Sequence, residues 1–416
     1  MEKMFRRFIA AIIKTGSLEI ETASGARYHF GDGSGQNVRL RFADKAAQTA
    51  VVLNPTLRFG ELYMDGRVTV DEGTIYDALA VICQNIDYLE RIWWLEALTT
   101  LRGRLQHIFK ANSSVRARRN VAHHYDLDRR LYKLFLDDDM QYSCAYFENG
   151  AATLDDAQLA KKRHIAAKLM IEKGDRVLDI GCGWGGLALY LARICGAKVT
   201  GITLSREQLA FARERAGEAG QSSGIEFRLQ DYREIDERFD KIVSVGMFEH
   251  VGPEFYATYF QQIAKLLQPS GMALIHTIGS SRAQYEPDPW INKYIFPGGY
   301  IPALSTIMPA IERAGLYVTD IEILRLHYAE TLRAWRARFL SHRAEAATLY
   351  DERFCRMWEY YLAASECAFR YTGEVVFQIQ LARKVDTVPI TRDYMLRAEA
   401  ELRRRDSAGS GLRIAG

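Results

Sequence analysis

Residues 176–186 read RVLDIGCGWGG, an apolar run that contains Asp179 and then four glycines within six residues. This pattern predicts a buried strand that turns sharply into a helix, with bare backbone at the turn against which a ligand can lie. Gly181, Gly183 and Gly186 also satisfy the dinucleotide spacing G-x-G-x-x-G. We therefore expect an α/β domain that binds a nucleotide-like ligand at this turn.

The residues after the turn narrow the choice of ligand. A nicotinamide dinucleotide site needs an acidic residue about 20 residues further on, at the end of the next strand, to hold the ribose. Residues 198–205, KVTGITLS, contain no carboxylate. Asp179 instead precedes the turn, which suits a ligand with an amino group and a sulfonium charge better than one with a pyrophosphate. We interpret the segment as an S-adenosylmethionine site, and nicotinamide binding is the alternative.

Composition excludes several other classes of protein. The chain has 416 residues, 48% of them apolar, which is enough for two or three domains. Its formal net charge is only +3, so any attraction to nucleic acid or anionic lipid must come from local clusters. The six cysteines include no C-x-x-C pair, which argues against a structural zinc site and a disulfide framework and fits a reducing cytosol. We expect no metal site.

The N-terminal residues MEKMFRRFIAAIIKTG predict an amphipathic helix. Their apolar run, residues 8–13, is about half the length of a signal-peptide core, and no cleavage site follows it. No other stretch approaches the roughly 18 unbroken apolar residues of a membrane span. The expected location is therefore cytoplasmic, with contact to the inner face of the membrane that is peripheral.

Periodicity divides the chain into segments. Short alternating runs between residues 17 and 70, LEIETA, ARYHFG, VRLRFA and a run that ends in AVVLN, predict strands, and helical spacing begins at Thr74. We expect an α+β N-terminal domain at 1–100 and a basic linker at 101–122. The basic residues of that region and its continuation are Arg102, Arg104, Lys110, Arg116, Arg118, Arg119, Arg129 and Arg130. They indicate either a solvated linker or a surface for anionic headgroups; they lack the interleaved aromatic residues of a nucleic-acid platform.

From Lys173 onward strand-like segments alternate with helix-like segments. The strand-like segments are RVLDIGC, KVTGITL, IEFRLQD, FDKIVSVG and GMALIHTIG. This order predicts a parallel sheet with a ligand at the carboxyl ends of its strands, closed by the late segments LYVTDIEIL and GEVVFQIQLAR. The expected catalytic domain spans 123–395, and residues 396–416 are expected to form a flexible tail.

Further motifs occur together with the glycine-rich turn: QYSCAYF (141–147), LQDYRE, VSVGMFEHVG, IHTIG and DPWINKYIFPGG. With them, the region from about His123 to Arg383 resembles the cyclopropane fatty acyl phospholipid synthases and is similar to the related mycolic acid cyclopropane synthases. The resemblance implies a class I methyltransferase fold, a Rossmann-like doubly wound sheet, with a smaller N-terminal lipid-associated α+β domain.

The resemblance also implies a reaction and its reagents. The methyl group of S-adenosylmethionine would be transferred to the cis double bond of an unsaturated phospholipid acyl chain, and a cyclopropane ring would form through a carbocation with bound bicarbonate as base. The acyl chain needs an apolar tunnel, because exposing its methylene groups to water is unfavourable. Aromatic and apolar residues near the site are candidates for its lining, and many of them are expected to be core instead: Phe248, Tyr294, Phe296, Pro297, Tyr300 and Ile301.

The positions that match the family's catalytic residues are Cys144, Glu249, His276, Ile278 and Tyr328. We expect a neutral His276 to bond to Glu249 and orient the bicarbonate, and Ile278 to offer a backbone amide to the same anion. The family's late cysteine is replaced here by Ser365. Cys367 lies two residues further on, about 200° around a helix, and is predicted to be structural.

The positions that match the family's cofactor contacts are Tyr142, Ser143, Asp179, Gly181, Gly183, Thr203, Gln208, Tyr232 and Arg233. Tyr142 and Ser143 would close over the methionine end, and Thr203 and Gln208 would hold the ribose. Two alternatives stay open: a methyltransferase of the same family that gives a methyl-branched or methylene product, and an inactive lipid-binding or transfer protein. A homodimer is also left open.

Overall fold

The computed structural model describes residues 2–90, 127–148, 153–221, 223–282 and 288–410. The chain divides into two compact units. The first unit comprises Met1–Ala111, Glu286–Pro297 and Ala329–Glu374, and the second comprises Asn112–Tyr285, Gly298–Tyr328 and Val375–Gly416. Segments 286–297 and 329–374, which the sequence-based boundaries assign to 123–395, thus belong to the same unit as the N-terminal residues. The predicted basic linker at 101–122 lies outside the described residues.

The N-terminal part of the first unit is an α+β arrangement, as predicted. Its strands are β1 (Ser17–Glu21), β2 (Arg27–Phe30), β3 (Asn37–Phe42) and β4 (Val68–Glu72). They form a sheet of order β2-β1-β3-β4, in which β1 is antiparallel to β2 and parallel to β3. The helices of this part are α1 (Glu2–Ile12), α2 (Lys45–Leu53), α3 (Pro55–Met64), α4 (Ile75–Gln84) and α5 (Ile86–Glu90).

Helix α1 is amphipathic, which confirms the interpretation of the N-terminal residues. Its buried face carries Phe5, Phe8, Ile9 and Ile12. Lys3, Arg6 and Arg7 are exposed on the other side. The spacing of the apolar residues at i, i+3, i+4 and i+7 is what one buried helical face requires.

The prediction of a strand at AVVLN was wrong, because these residues lie in α2. Asp44 caps this helix by accepting a hydrogen bond from the backbone nitrogen of Ala47 at 2.8 Å. Ala47 and Val51, four residues apart, are both buried. The cap and this helical spacing outweigh the strand preference of two adjacent valines.

The second unit contains a seven-stranded sheet. Its strands are β5 (Arg176–Ile180), β6 (Lys198–Thr203), β7 (Ile225–Leu229), β8 (Phe239–Val245), β9 (Leu267–Ser280), β10 (Tyr317–Ile323) and β11 (Glu374–Ala382). The strand order is β10-β11-β9-β8-β5-β6-β7. Strands β5 to β9 pair in parallel, whereas β10 and β11 form an antiparallel pair at one edge. All seven strands were predicted from the sequence.

The remaining elements complete the described chain. The helices are α6 (Arg129–Lys133), α7 (Leu154–Lys168), α8 (Gly186–Cys195), α9 (Arg206–Glu218), α10 (Tyr256–Leu266), α11 (Pro289–Tyr294), α12 (Leu304–Arg313), α13 (His327–Ser341), α14 (Arg343–Leu349), α15 (Glu352–Cys367) and α16 (Asp393–Ser410). Short 3₁₀ turns occur at Tyr232–Glu234, Phe248–His250 and Pro253–Phe255, and Ala368–Thr372 is a π-helical turn.

The sheet of the second unit is buried on both faces. Alternate residues of β5 point to different clusters of apolar side chains: Leu178 and Ile180 belong to one, and Val177 belongs to the other. Because side chains alternate along a strand, the run VLDI places apolar side chains on both faces of the sheet. Asp179 is the one polar residue in this run.

The C-terminal residues differ from the expected flexible tail at 396–416. Helix α16 continues to Ser410, and residues 411–416 lie outside the described part of the chain. Leu402 is buried, and the Asp406 carboxylate accepts a hydrogen bond from Arg163 Nε at 2.9 Å. Buried apolar residues and ion pairs with Arg163, His164 and Glu148 therefore hold a segment whose arginine-rich composition suggested fraying.

Replacement of Gly279 by alanine tests the packing between β9 and β11. A Cβ at this position would lie 2.0 Å from Phe377 Cε2, inside the core, so the ring or the strand would have to move. We expect a destabilisation of about 1–3 kcal/mol, which lowers the melting temperature by several degrees. Gly217→Ala is the control, because nothing lies within 4 Å of its added Cβ. Equal melting temperatures for the two variants would contradict this packing.

Candidate active site

A cavity opens at the carboxyl ends of β5, β6 and β8, the edge at which parallel sheets bind ligands. All nine residues that the sequence predicted as cofactor contacts line it: Tyr142, Ser143, Asp179, Gly181, Gly183, Thr203, Gln208, Tyr232 and Arg233. Gly181 has a φ of +82°, and a Cβ there would lie 2.9 Å from Met247 Cβ, so the turn requires glycine. Binding of a cofactor by these residues stays a prediction.

Asp179 is the acidic group of this cavity. Its side chain is 2% exposed, and Oδ2 has no hydrogen-bond partner among the described residues. Burial raises the pKa of this carboxyl to about 7. A ligand with a positively charged group would supply the missing partner and favour the ionised form. The cavity therefore fits a ligand with an ammonium or sulfonium group.

Thr203 and Gln208 face the cavity from the end of β6 and the start of α9. Thr203 Oγ1 donates to Gln208 Oε1 at 2.8 Å and accepts from the Ser205 backbone nitrogen at 3.1 Å. Ser205 in turn caps α9, since its Oγ accepts from the Gln208 backbone nitrogen at 3.3 Å. This local network fixes both polar side chains before any ligand arrives.

Tyr232 and Arg233 lie on the 3₁₀ turn that Asp231 caps. Arg233 donates from Nε and Nη2 to the two carboxylate oxygens of Asp231, at 2.9 and 2.7 Å. Burial raises the pKa of the Tyr232 hydroxyl to about 12, so it stays neutral. Arg233 is the one lysine or arginine among the described cavity-lining residues, and its charge is already paired. A pyrophosphate would find no unpaired cation here, which argues against the nicotinamide alternative.

Two residues of α7 that sequence reasoning missed hold the 141–143 segment. Gln158 Nε2 donates to the carbonyl oxygens of Gln141 and Ser143, at 3.2 and 3.0 Å. Lys161 Nζ donates to Gln141 Oε1 and Ser143 Oγ, at 2.8 and 2.7 Å. Lys161 is fully buried, which lowers its pKa to about 8. A lysine in a helix ordinarily predicts a solvated position, so only the tertiary contacts identify this one.

Glu249 lies on the 3₁₀ turn Phe248–His250 directly after β8, between two cavity-lining residues, Met247 and His250. Its Oε1 accepts a hydrogen bond from the backbone nitrogen of Ile278 at 2.7 Å. The side chain is 9% exposed, and no described residue bonds to Oε2. Burial raises the pKa of this carboxyl to about 7. We expected the Ile278 amide to face the anion, whereas the structure shows it bonded to Glu249.

His276 lies in β9, where it pairs in register with Val245 of β8, another cavity-lining residue. The expected hydrogen bond to Glu249 is absent from the contacts of the described residues. Its Nδ1 instead lies 3.1 Å from Gln378 Nε2, and Nε2 has no described partner. Burial lowers the pKa of His276 well below its ordinary value, so the ring is neutral.

Cys144 and Tyr328 approach this region from two other segments. Cys144 follows the cavity-lining Ser143, is 1% exposed, and has its Sγ 3.3 Å from the Ala145 carbonyl oxygen. Tyr328 is buried near the start of α13. Its neighbour His327 accepts from the Phe147 backbone nitrogen at 2.9 Å, three residues beyond Cys144. None of the five predicted catalytic residues is among the described residues that line the cofactor cavity. Each of the five lies in a segment that flanks the cavity or that adjoins a flanking segment.

The predicted tunnel residues are divided between the two compact units, and a tunnel lined by them stays a prediction. Phe248 is fully buried in an aromatic cluster with Tyr256, Tyr259 and Phe260, which is core packing. Tyr294, Phe296 and Pro297 belong to the first compact unit, and Tyr300 and Ile301 belong to the second. Aromatic composition alone could not separate tunnel from core. In the first unit, Cys367 is buried with its Sγ 3.8 Å from the Tyr76 carbonyl oxygen, which agrees with a structural role.

The doubly wound sheet and the cavity at its carboxyl edge define the class of protein: the chain is an S-adenosylmethionine-dependent methyltransferase. Residues 112–379 match the family described as mycolic acid cyclopropane synthetase, so the chain belongs to this family. No described helix is long and apolar enough to cross a membrane.

Three relatives support this assignment. The chain is 41% identical to the cyclopropane-fatty-acyl-phospholipid synthase of Escherichia coli K12 over 336 residues, 81% of this chain and 85% of that protein. It is 39% identical to a tuberculostearic acid methyltransferase of Mycobacterium tuberculosis, over 78% of each chain. A crystal structure of a mycolic acid cyclopropane synthase complexed with S-adenosylhomocysteine and CTAB has 32% identity and a TM-score of 0.61, and covers 64% of this chain and 97% of that chain.

These likenesses confirm the predicted fold class and the family resemblance. They also support S-adenosylmethionine-dependent cyclopropanation of lipids as the general activity.

Asp179→Asn tests the electrostatics of the cavity. In the parent, the folded-state pKa near 7 exceeds the ordinary 3.8, so ionisation of Asp179 removes stability as the pH rises between these values. The asparagine variant lacks this loss. Its stability relative to the parent should therefore increase from pH 4 to pH 7, by up to about 4 kcal/mol, while its affinity for S-adenosylmethionine falls.

Melting temperatures of the ligand-free proteins across this pH range, with calorimetric titration of S-adenosylmethionine, measure both effects. Asp138→Asn is the control, because Asp138 is an exposed aspartate of the same unit. A stability difference that does not change with pH would contradict the buried, unpartnered state of Asp179.

Proposed function

We propose that this chain transfers the methyl group of S-adenosylmethionine to the cis double bond of an unsaturated phospholipid acyl chain and forms a cyclopropane ring. The observation that carries the proposal is a pair of buried polar atoms without described partners, Glu249 Oε2 and His276 Nε2, in segments that adjoin the cofactor cavity. Buried polar atoms of this kind indicate a ligand that completes them.

The two atoms suit a small oxyanion such as bicarbonate. Bicarbonate has one hydroxyl that can donate a hydrogen bond and further oxygens that accept. The Glu249 carboxylate can accept, and a neutral His276 that is protonated at Nε2 can donate. We propose that these two residues hold the anion, with Cys144 and Tyr328 at further family positions, while the Ile278 amide holds the Glu249 carboxylate in place.

The cofactor cavity fits the other reagent, because Asp179 offers an unpaired carboxylate oxygen to a cationic ligand. When bound, S-adenosylmethionine supplies an electrophilic methyl group, and bicarbonate supplies a base for the proton that is lost on ring closure. The residues of the chain bind and orient these groups.

The chemistry demands a dry site with negative charge. When the π electrons of the alkene form the new bond to the methyl carbon, the methyl–sulfur bond breaks and its electrons stay on the sulfur of S-adenosylhomocysteine. Positive charge therefore develops on a carbon of the acyl chain. Water would capture this cation, and burial of Glu249 and His276 keeps the site dry. A cation near Glu249 favours its ionised form, which in turn stabilises the cation. Loss of a proton from the added methyl group then closes the ring.

We also propose that the enzyme meets the inner face of the membrane peripherally. Lys3, Arg6 and Arg7 are exposed on α1, and each basic residue near an anionic surface contributes about 1 kcal/mol. The basic linker would add to this attraction. None of the proposed steps requires a homodimer.

The second candidate function is methyl transfer that gives a methyl-branched or methylene product. The similarity to the tuberculostearic acid methyltransferase supports this candidate. The third candidate, an inactive lipid-binding protein, is opposed by the full set of cavity-lining residues and by the buried Glu249.

Incubation with S-adenosylmethionine and vesicles of an unsaturated phospholipid tests the product. We expect each modified acyl chain to gain one CH₂ and to show the high-field proton resonances of a cyclopropane methylene. Mass spectrometry and proton NMR of the extracted lipid measure these. A methylene branch has the same mass but alkene resonances, and a saturated methyl branch has two further hydrogens. If no lipid is modified and no S-adenosylhomocysteine is released, the hypothesis of an inactive lipid-binding protein replaces the proposal.

Glu249→Gln tests the role of the buried carboxylate. We expect turnover to fall by about 100-fold or more, because the variant lacks the negative charge beside the developing cation, while S-adenosylmethionine affinity changes little. Glu218→Gln, an exposed position at the end of α9, is the control. Parent-like turnover in the Glu249 variant would remove this residue from the mechanism.

A further inference from the structure

We propose that Gln378 is a positioning residue for His276: its side-chain amide donates to Nδ1, holds the ring in the tautomer protonated at Nε2, and so presents a hydrogen-bond donor to the oxyanion. This inference rests on the proposed function, in which His276 helps to hold that anion.

The geometry supports a direct interaction. Gln378 lies in β11 and His276 in β9, which are neighbours in the sheet. Gln378 Nε2 is 3.1 Å from His276 Nδ1, and the two side chains are 0% and 2% exposed. The amide nitrogen can only donate, so Nδ1 must accept and the ring proton must lie on Nε2.

Packing alone does not explain a glutamine at this position. Val376, two residues earlier and so on the same face of β11, is a buried apolar residue, and a buried amide is unfavourable unless it is hydrogen-bonded. Among the described residues, Gln378 Oε1 has no partner, so the bond to His276 is the one polar contact that the side chain makes there. Gln380, two residues further along the same strand, differs: it donates to the Lys168 carbonyl oxygen and contacts Tyr394 and Thr319.

The tautomer matters because of the charge that His276 faces. With the proton on Nδ1, the lone pair of Nε2 and the carboxylate of Glu249 would both present negative potential to an anion. With the proton on Nε2, the site offers one donor and one acceptor. Gln378 thus determines that His276 offers a hydrogen-bond donor to the oxyanion, although Gln378 does not contact the anion itself.

Nitrogen-15 NMR of histidine-labelled protein tests the tautomer directly. The His276 resonances are assigned by their absence in His276→Asn. We expect the Nε2-protonated form in the parent and a different state in Gln378→Glu, whose carboxylate would accept from Nδ1–H, with a mixture in Gln378→Met. The Nδ1-protonated form in the parent, or the same tautomer in all three proteins, would overturn the inference.

A second measurement uses activity in carbon-dioxide-free buffer with added bicarbonate. We expect the bicarbonate concentration for half-maximal activity to rise about tenfold or more in Gln378→Glu and Gln378→Met, with parent-like S-adenosylmethionine affinity. Gln380→Met is the matched control, and melting temperatures verify that the variants are folded. An unchanged bicarbonate requirement in both Gln378 variants would overturn the inference. If the parent itself does not depend on bicarbonate, the proposed base is wrong, and the tautomer measurement alone decides the role of Gln378.

Discussion

The site depends on carboxylates that are buried at the carboxyl edge of a parallel sheet without a full set of partners. Asp179 ends β5 and Glu249 follows β8, and each has one oxygen that no described residue bonds to. Desolvation raises the pKa of both carboxyls to about 7. Such groups destabilise the ligand-free fold at neutral pH, and a positive charge beside them reduces the penalty: a cationic cofactor beside Asp179, or the cation that we propose forms near Glu249. The same desolvation therefore lowers the stability of the ligand-free protein and favours ligands that place positive charge beside the carboxylates.

Most other polar groups around the cavity are already paired. Gln158 and Lys161 bond to the 141–143 segment, and Asp231 neutralises Arg233. Because these contacts form within the protein, the walls of the cavity are ordered before a ligand binds, which reduces the reorganisation that binding requires. Among the described residues, buried polar atoms on Asp179, Glu249 and His276 have no partner, and we propose that these atoms determine what the site accepts.

These remaining atoms divide the site by charge. In the proposed function, Asp179 presents a carboxylate to a cationic cofactor, whereas Glu249 and His276 present an acceptor and a donor to a small anion. In the same proposal, the electron-poor carbon that forms has no charged partner of its own in the substrate, so the protein provides both the negative potential and the exclusion of water. This division is consistent with alkylation of a hydrocarbon rather than of a polar nucleophile.

The sequence by itself determined the seven strands of the large sheet, the glycine turn and the nine cavity-lining positions, because periodicity, turn chemistry and family motifs are properties of neighbouring residues. Only the tertiary structure decided which polar atoms are paired. In the structure, the Ile278 amide donates to Glu249, His276 bonds to Gln378, and the buried Lys161 donates to Ser143 beside the cavity. These hydrogen bonds join residues 18 to 102 positions apart. They depend on how strands and helices pack, and no local pattern records that packing.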